Sequence, residues 1–217
     1  MRPVGTHSAI RISPLRRNIA SCGWMNLPGM YSERDAPNPI TAYGKTKAQC
    51  EQLLQEMVPN HCIVRTSYIY GYSLGHLDSR LTVVRKHVRQ AKALHHFSDM
   101  YKSPVEVNQL AEIIHRLLDL DFRGHLHACG QRMSVHDFYA QSMAALGEKT
   151  ERLLPCRIPE KPPENCLRDT SLDSALLTKL LGVSAIQLSH ALGAYCVRQS
   201  AEPLRPFDRI QLNEELS

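Results

Sequence analysis

Tyr43 and Lys47 are the residues of this 217-residue sequence whose types and spacing most clearly suggest chemistry. Four positions apart on a helix, the two side chains lie on one face. A lysine ammonium beside a tyrosine stabilises the phenolate. The phenol is then suited to exchange a proton with a carbonyl–alcohol pair while a hydride moves. Lys47 also has donors to spare for a ribose hydroxyl. The spacing alone also occurs by chance on surface helices, so its context matters.

The elements that would position this pair alternate between helix and strand. A helix is predicted over residues 42–57, with Thr41 as N-cap and Pro59 after its end. Residues 61–70 are an apolar, β-branched run that predicts a buried strand. Further strands are predicted near Phe97 and over 125–128, and further helices over 77–94, 105–118, 134–146, 171–181 and 186–197. This order indicates an α/β fold with a partial, Rossmann-like parallel sheet. About three strands are fewer than usual, which predicts that part of the sheet is missing.

Composition excludes several classes of protein. The net charge of +5 is mild and no Lys/Arg block is dense, so no nucleic-acid partner is expected. Seven scattered cysteines without a Cys-x-x-Cys predict a reduced, cytoplasmic protein without disulfides or zinc. The histidines lack partners at metal-ligand spacing, so no metal is expected. No apolar run approaches the ~18 residues that span a membrane.

Residues 1–30 differ from the rest of the chain because they contain four arginines and no acidic residue. They are predicted to be a disordered or non-homologous leader, and an organelle transit peptide is the alternative. Residues 31–200 are predicted to form the folded domain, divided into 31–75 and 76–200, and residues 201–217 a tail.

Five segments resemble extended short-chain dehydrogenases/reductases of the dTDP-4-dehydrorhamnose reductase type. An acidic, Pro-rich loop leads into Tyr43-Gly44-Lys45-Thr46-Lys47, and Arg65-Thr66-Ser67-Tyr68 resembles the family's Arg-Thr-Ser-Trp strand. The other three segments span 97–111, 125–138 and 171–182. The resemblance covers residues 31–195.

This resemblance implies roles for individual residues. Tyr43 would be the catalytic acid, and Lys47 would bind the ribose of NADP or NAD beside Tyr43. Arg65, Thr66 and Ser67 would lie near the nicotinamide, although Arg65 could instead brace the strand end. Tyr68 replaces a substrate-contacting tryptophan, so it would contact the sugar nucleotide or serve as a core aromatic.

Two parts of the family pattern are absent. No Gly-x-x-Gly-x-x-Gly or Gly-x-Gly-x-x-Gly occurs, so the phosphate-binding turn of a Rossmann fold is missing. The family's Ser/Thr on the strand before the tyrosine helix has no evident counterpart, since Ser21 and Ser32 lie outside apolar runs. A fragment of a reductase for dTDP-rhamnose biosynthesis is therefore expected. The alternative is a non-catalytic subunit resembling the β subunit of methionine adenosyltransferase. For both alternatives, a homodimer or a complex with a partner enzyme is a possible assembly implied by the resemblance.

Overall fold

The computed structural model describes residues 9–14, 29–73, 76–161 and 166–199. The helices are α1 Ala42–Met57, α2 Ser79–Arg89, α3 Val107–Leu118, α4 Val135–Ala145, α5 Ala175–Leu181 and α6 Leu188–Gln199. The longer strands are β1 Ala9–Pro14, β2 His61–Thr66, β6 Leu94–Phe97, β9 Gly124–His127 and β11 Leu153–Cys156. Two-residue strands are β3 Ile69–Tyr70, β4 Tyr72–Ser73, β5 His76–Leu77, β7 Tyr101–Lys102, β8 Val105–Glu106 and β10 Met133–Ser134.

The main sheet of the described chain is parallel and has the order β1-β2-β9. Its register aligns Ser13 with Arg65 on β2 and Arg65 with His127 on β9. These three residues therefore form one row near the carboxyl edge of the sheet. The predicted α/β class with parallel pairing is confirmed.

Alternation along β2 explains how both faces of the sheet are covered. Cys62 and Val64 point into a core cluster with Leu110 and Ile113 of α3 and Leu177 of α5. Arg65, the residue after Val64, lies on the other face and contacts α1. A strand covered on both faces reads as a nearly continuous buried run, which is why β2 was recognisable from sequence.

A second core lies between α2, α4, α6 and the β6–β11 pair. Phe138 of α4 is its centre, with the rings of Tyr68, Tyr70 and Tyr139 edge-on to it at 5.1, 5.4 and 5.2 Å. These aromatic contacts pack the segment after β2 against α4.

Several predicted bounds were wrong for local reasons. The helix predicted over 77–94 begins at Ser79, because Asp78 caps it, and ends at Arg89 before Ala91, whose φ is 55°. The strand predicted over 61–70 divides into β2 and β3, which pair with β9 and β8. The helix predicted over 171–181 begins only at Ala175.

The leader contains an element that the sequence did not predict. Residues 9–14 form a strand parallel to β2, an element that the predicted disordered or non-homologous leader did not include. The remaining predictions for residues 1–28, and the tail at 201–217, lie outside the described residues. None of the helices within the described ranges is long and apolar enough to cross a membrane.

Candidate active site

Tyr43 and Lys47 share one face of α1, as their spacing predicts. The Lys47 Nζ lies 5.5 Å from the centroid of the Tyr43 ring. Tyr43 is 44% exposed and Lys47 is half-buried. Thr41 begins the helix by accepting a hydrogen bond from the Gly44 amide at 3.1 Å. The ammonium is thus held beside an accessible phenol, which is the arrangement that proton exchange with a carbonyl requires.

The connection from α1 to β2 places this pair beyond the carboxyl edge of the sheet. The chain reverses between Met57 and His61, so α1 runs antiparallel to β2. Glu51 contacts Arg65 near the end of β2. With a rise of 1.5 Å per residue, Tyr43 lies about 12 Å further along the helix axis than Glu51. Ligands of parallel α/β sheets bind in this region outside the strand ends.

Glu51 and Arg65 form a buried ion pair that attaches α1 to the sheet. Arg65 Nη2 lies 2.7 Å from Glu51 Oε2, and their side chains are 3% and 7% exposed. The Arg65 Nε donates to both carboxylate oxygens at 3.3 Å. Burial alone would raise the pKa of Glu51, but hydrogen bonds from His125 and Arg65 hold that pKa below its ordinary value. The carboxylate is therefore charged at neutral pH. Sequence reasoning missed Glu51, although its position four residues after Lys47 on the same face was a usable signal.

The strand residues predicted to contact the cofactor are all buried. Arg65, Thr66 and Ser67 are 2%, 0% and 4% exposed. Arg65 is occupied by Glu51, which favours bracing of the strand end, the second role that the sequence left open. Ser67 Oγ accepts a hydrogen bond from the Ser103 amide at 3.4 Å. The structure therefore gives these three residues interior surroundings, while Tyr43 and Lys47 reach the surface.

Tyr68 is a core residue in this structure. It is 4% exposed, and its hydroxyl donates to Asp78 Oδ1 at 2.5 Å. Burial and the Asp78 carboxylate both raise the pKa of Tyr68, so the hydroxyl stays protonated. Arg80 covers the ring, with Cζ 4.9 Å from the centroid. The surroundings favour the core alternative over direct contact with a substrate.

The N-terminus of α2 is already occupied by a carboxylate. Asp78 Oδ1 accepts from the Arg80 amide at 3.0 Å and from the Leu81 amide at 3.2 Å. Free amides at a helix N-terminus attract phosphate. Because Asp78 uses these amides, an anion would have to displace it.

The loop that precedes α1 contains Tyr31 and Glu33, and both residues form hydrogen bonds with the end of β9. Glu33 Oε1 accepts from the His127 amide at 2.8 Å, and His127 Nδ1 lies 3.0 Å from the Tyr31 carbonyl oxygen. Burial lowers the pKa of His127, so its ring is neutral, and Nδ1 carries the proton that the carbonyl accepts. His127 thus holds in place the loop that leads into α1.

Ser13 is a second residue that sequence reasoning missed. It lies next to the end of β1, opposite Arg65 on β2. The strand before the tyrosine helix thus carries a serine close to the carboxyl edge. The signal was present in the alternation of Ile10 and Ile12 with Arg11 and Ser13, but Pro14 interrupted it.

Comparison with protein families identifies one domain over most of the chain. Residues 26–198 match the family described as RmlD substrate binding domain. The fold is similar to a dTDP-4-dehydrorhamnose reductase from Bacillus anthracis solved with NADP, with a TM-score of 0.71 and 19% identity. That match covers 88% of this chain and 65% of the solved one. The family resemblance drawn from the five sequence segments is confirmed.

Curated relatives match shorter stretches. A dTDP-4-dehydrorhamnose reductase from Salmonella typhimurium is 32% identical over 82 residues, which is 38% of this chain and 26% of that protein. The methionine adenosyltransferase 2 subunit beta of Danio rerio is 24% identical over 134 residues, or 58% and 41% of the two chains. The matched parts therefore span only about a quarter to two fifths of these relatives.

Proposed function

Because the chain belongs to the RmlD substrate binding domain family, we propose that it provides the catalytic helix and substrate-binding part of a sugar-nucleotide reductase. The reaction would be the NAD(P)H-dependent reduction of a 4-keto sugar nucleotide. The observation that carries this proposal is the accessible Tyr43 phenol beside the Lys47 ammonium, beyond the carboxyl edge of a parallel sheet.

In this mechanism Tyr43 is the proton donor. A reduced nicotinamide held beside this pair would supply the hydride that the carbonyl carbon receives. The Tyr43 hydroxyl gives its proton to the carbonyl oxygen, so the ketone becomes an alcohol. Lys47 would stabilise the phenolate that remains and would hold a ribose hydroxyl of the cofactor.

The residues present fit only the nicotinamide–ribose end of such a cofactor. Tyr43 and Lys47 offer a hydroxyl and an ammonium to that end. The sequence has no Gly-rich turn to bring backbone amides to a pyrophosphate. The proposal therefore accounts for the nicotinamide–ribose end of the cofactor and assigns no residue of this chain to its pyrophosphate.

The direct test is NADPH oxidation by the purified chain with a dTDP-4-keto-6-deoxy sugar, together with NADPH binding by fluorescence. Tyr43→Phe should lower turnover about a hundredfold or more, because it removes the proton donor. Lys47→Gln should also reduce turnover. Lys45→Gln is the matched control because Lys45 is exposed on the same helix. Turnover that survives in Tyr43→Phe would exclude the proposed mechanism.

A second function, that of a non-catalytic subunit, is supported by a different observation. Arg65, Thr66 and Ser67 are buried, and the hollow beside Tyr68 is only about 20 Å³, smaller than a sugar. The similarity to the methionine adenosyltransferase beta subunit fits this alternative. Absence of NADPH binding, together with co-purification of a larger enzyme, would favour it over the reductase.

A further inference from the structure

A cavity of about 510 Å³ lies away from the Tyr43–Lys47 pair, between α4, the segment before α6 and the end of β3. Its floor is apolar and buried and includes Tyr70, Pro104 and Leu188. This volume is within the range of small-molecule sites. The cavity is therefore large enough for a ligand that neither proposed function assigns to it.

The rim carries three carboxamides. Gln131, Gln141 and Gln187 line the cavity, and all three are exposed. Each carboxamide has two N–H donors and one acceptor oxygen. The structure records no hydrogen bond from any of these side chains to another described residue. Donors and acceptors are thus available around an apolar floor.

The lining is uncharged. None of its 12 residues is acidic or basic, although 22% of the chain is charged. An anionic ligand would gain no charge-assisted hydrogen bond from it. This separates the cavity from the hollow beside Tyr68, which is lined by Arg80 and Lys102.

Interior contacts hold the walls in place. Gln109 of α3 is 6% exposed, and its Nε2 donates to the Ser184 carbonyl oxygen at 2.6 Å. Its Oε1 accepts from the Ile186 amide at 3.4 Å. On the other side, Gly130 approaches Pro104 so closely that an added Cβ would lie 1.9 Å from the Pro104 carbonyl oxygen. The cavity is therefore bounded by segments with defined positions.

We propose that this cavity binds an uncharged ligand that has a flat apolar face and an edge of hydrogen-bond donors and acceptors, the chemistry of a free nucleoside. The apolar floor takes the ring face, and the rim carboxamides pair with the polar edge. Carboxamides pair with nucleobase edges in this way when they read adenine. The site is independent of the reductase reaction.

The test is a titration of the ¹⁵N-labelled full chain with thymidine and adenosine, followed by amide chemical shifts. Saturable shifts are expected for Gln141, Ala144 and Gln187, at an affinity that does not depend on salt. The matching 5′-monophosphates should bind no tighter, because the lining offers no cation to the phosphate.

Two variants test whether the nucleoside binds in this cavity, and a third variant is the control. Ala144→Trp fills the cavity from an exposed position of the lining and should remove the shifts. Ala111→Trp is its control, since Ala111 is an exposed helical alanine outside the lining. Gln141→Leu should weaken binding about threefold to tenfold through loss of a hydrogen bond.

Three outcomes would overturn the proposal: no saturable shift at millimolar nucleoside, shifts confined to the surroundings of Arg80 or Tyr43, or equal binding by Ala144→Trp and wild type. A failed reductase assay would leave the nucleoside titration unaffected, so the two proposals fail separately.

Discussion

Replacing Glu51 by Gln should destabilise the domain strongly, because it leaves the Arg65 guanidinium buried without a counter-charge. The two side chains are 7% and 3% exposed, so water cannot replace the lost partner. Breaking one side of a buried pair typically costs 3–5 kcal/mol, and glutamine keeps one hydrogen-bond acceptor, so about 3 kcal/mol is expected here. With a urea m-value of about 2 kcal/mol/M, the unfolding midpoint should fall by ~1.5 M. Urea unfolding at pH 7, followed by circular dichroism, measures this shift.

A surface ion pair of the same chain is the control. Arg123 and Asp121 lie 3.3 Å apart with side chains 55% and 85% exposed. Asp121→Asn should change stability by less than about 0.5 kcal/mol, because solvent screens exposed pairs. The double variant Glu51→Leu with Arg65→Met should recover much of the loss, since it removes both buried charges. A loss below about 1 kcal/mol for Glu51→Gln would refute the anchoring role of this pair.

The same pair predicts a dependence on pH. The folded-state pKa of Glu51 lies below its ordinary value of 4.5, because hydrogen bonds from His125 and Arg65 outweigh the effect of burial. Its contribution to stability is present above pH 4.5 and is lost as the pH falls through the folded-state pKa. The stability difference between wild type and Glu51→Gln should therefore shrink in acid. A difference that stays constant from pH 7 to pH 3 would contradict this assignment.

Two further substitutions test the surroundings of the site. Tyr68→Phe keeps the packed ring but removes the hydrogen bond to Asp78. The free energy of unfolding, measured in urea, should fall by about 1.5–3 kcal/mol. An unchanged free energy of unfolding would show that Asp78 does not need this donor. Gly130→Ala places a Cβ 1.9 Å from the Pro104 carbonyl oxygen, so we expect a lower melting temperature in calorimetry and changed amide shifts around the uncharged cavity. An unchanged melting temperature would show that this contact relaxes without cost.

Local signals predicted those parts of the fold that depend on neighbours in sequence. The bounds of α1 follow from Thr41 at its N-cap and Pro59 after its end, and the structure has the helix at Ala42–Met57. Likewise, Ser134 Oγ accepts from the Asp137 amide at the start of α4, as its sequence position predicts. These features require only one turn of chain to form, so the sequence shows them directly.

Features that depend on distant partners could not be predicted in this way. The burial of Ser67 depends on Ser103, 36 residues later, and the division of the strand after Thr66 depends on pairing with β8. β1 was missed because its alternation covers only four residues before Pro14, while its pairing is set by β2. Helical geometry predicted the Tyr43–Lys47 face and also places Glu51 on it, but the pairing of Glu51 with Arg65 depends on a strand 14 residues later.

The Glu51–Arg65 ion pair is important for the position of α1 because this helix buries few of its side chains. Only Gly44 and Glu51 are buried in this helix, while Leu53 and Met57 are 55% and 77% exposed. Most surface helices are held by an apolar stripe, whose contacts are non-directional. An ion pair with three hydrogen bonds is directional, so it fixes the rotation of the helix as well as its distance from the sheet. Because Tyr43 lies two turns before Glu51 on nearly the same face, a rotation of the helix about its axis would turn the phenol away from the strand ends. The Glu51–Arg65 pair therefore connects the stability of this domain to the position of its candidate proton donor.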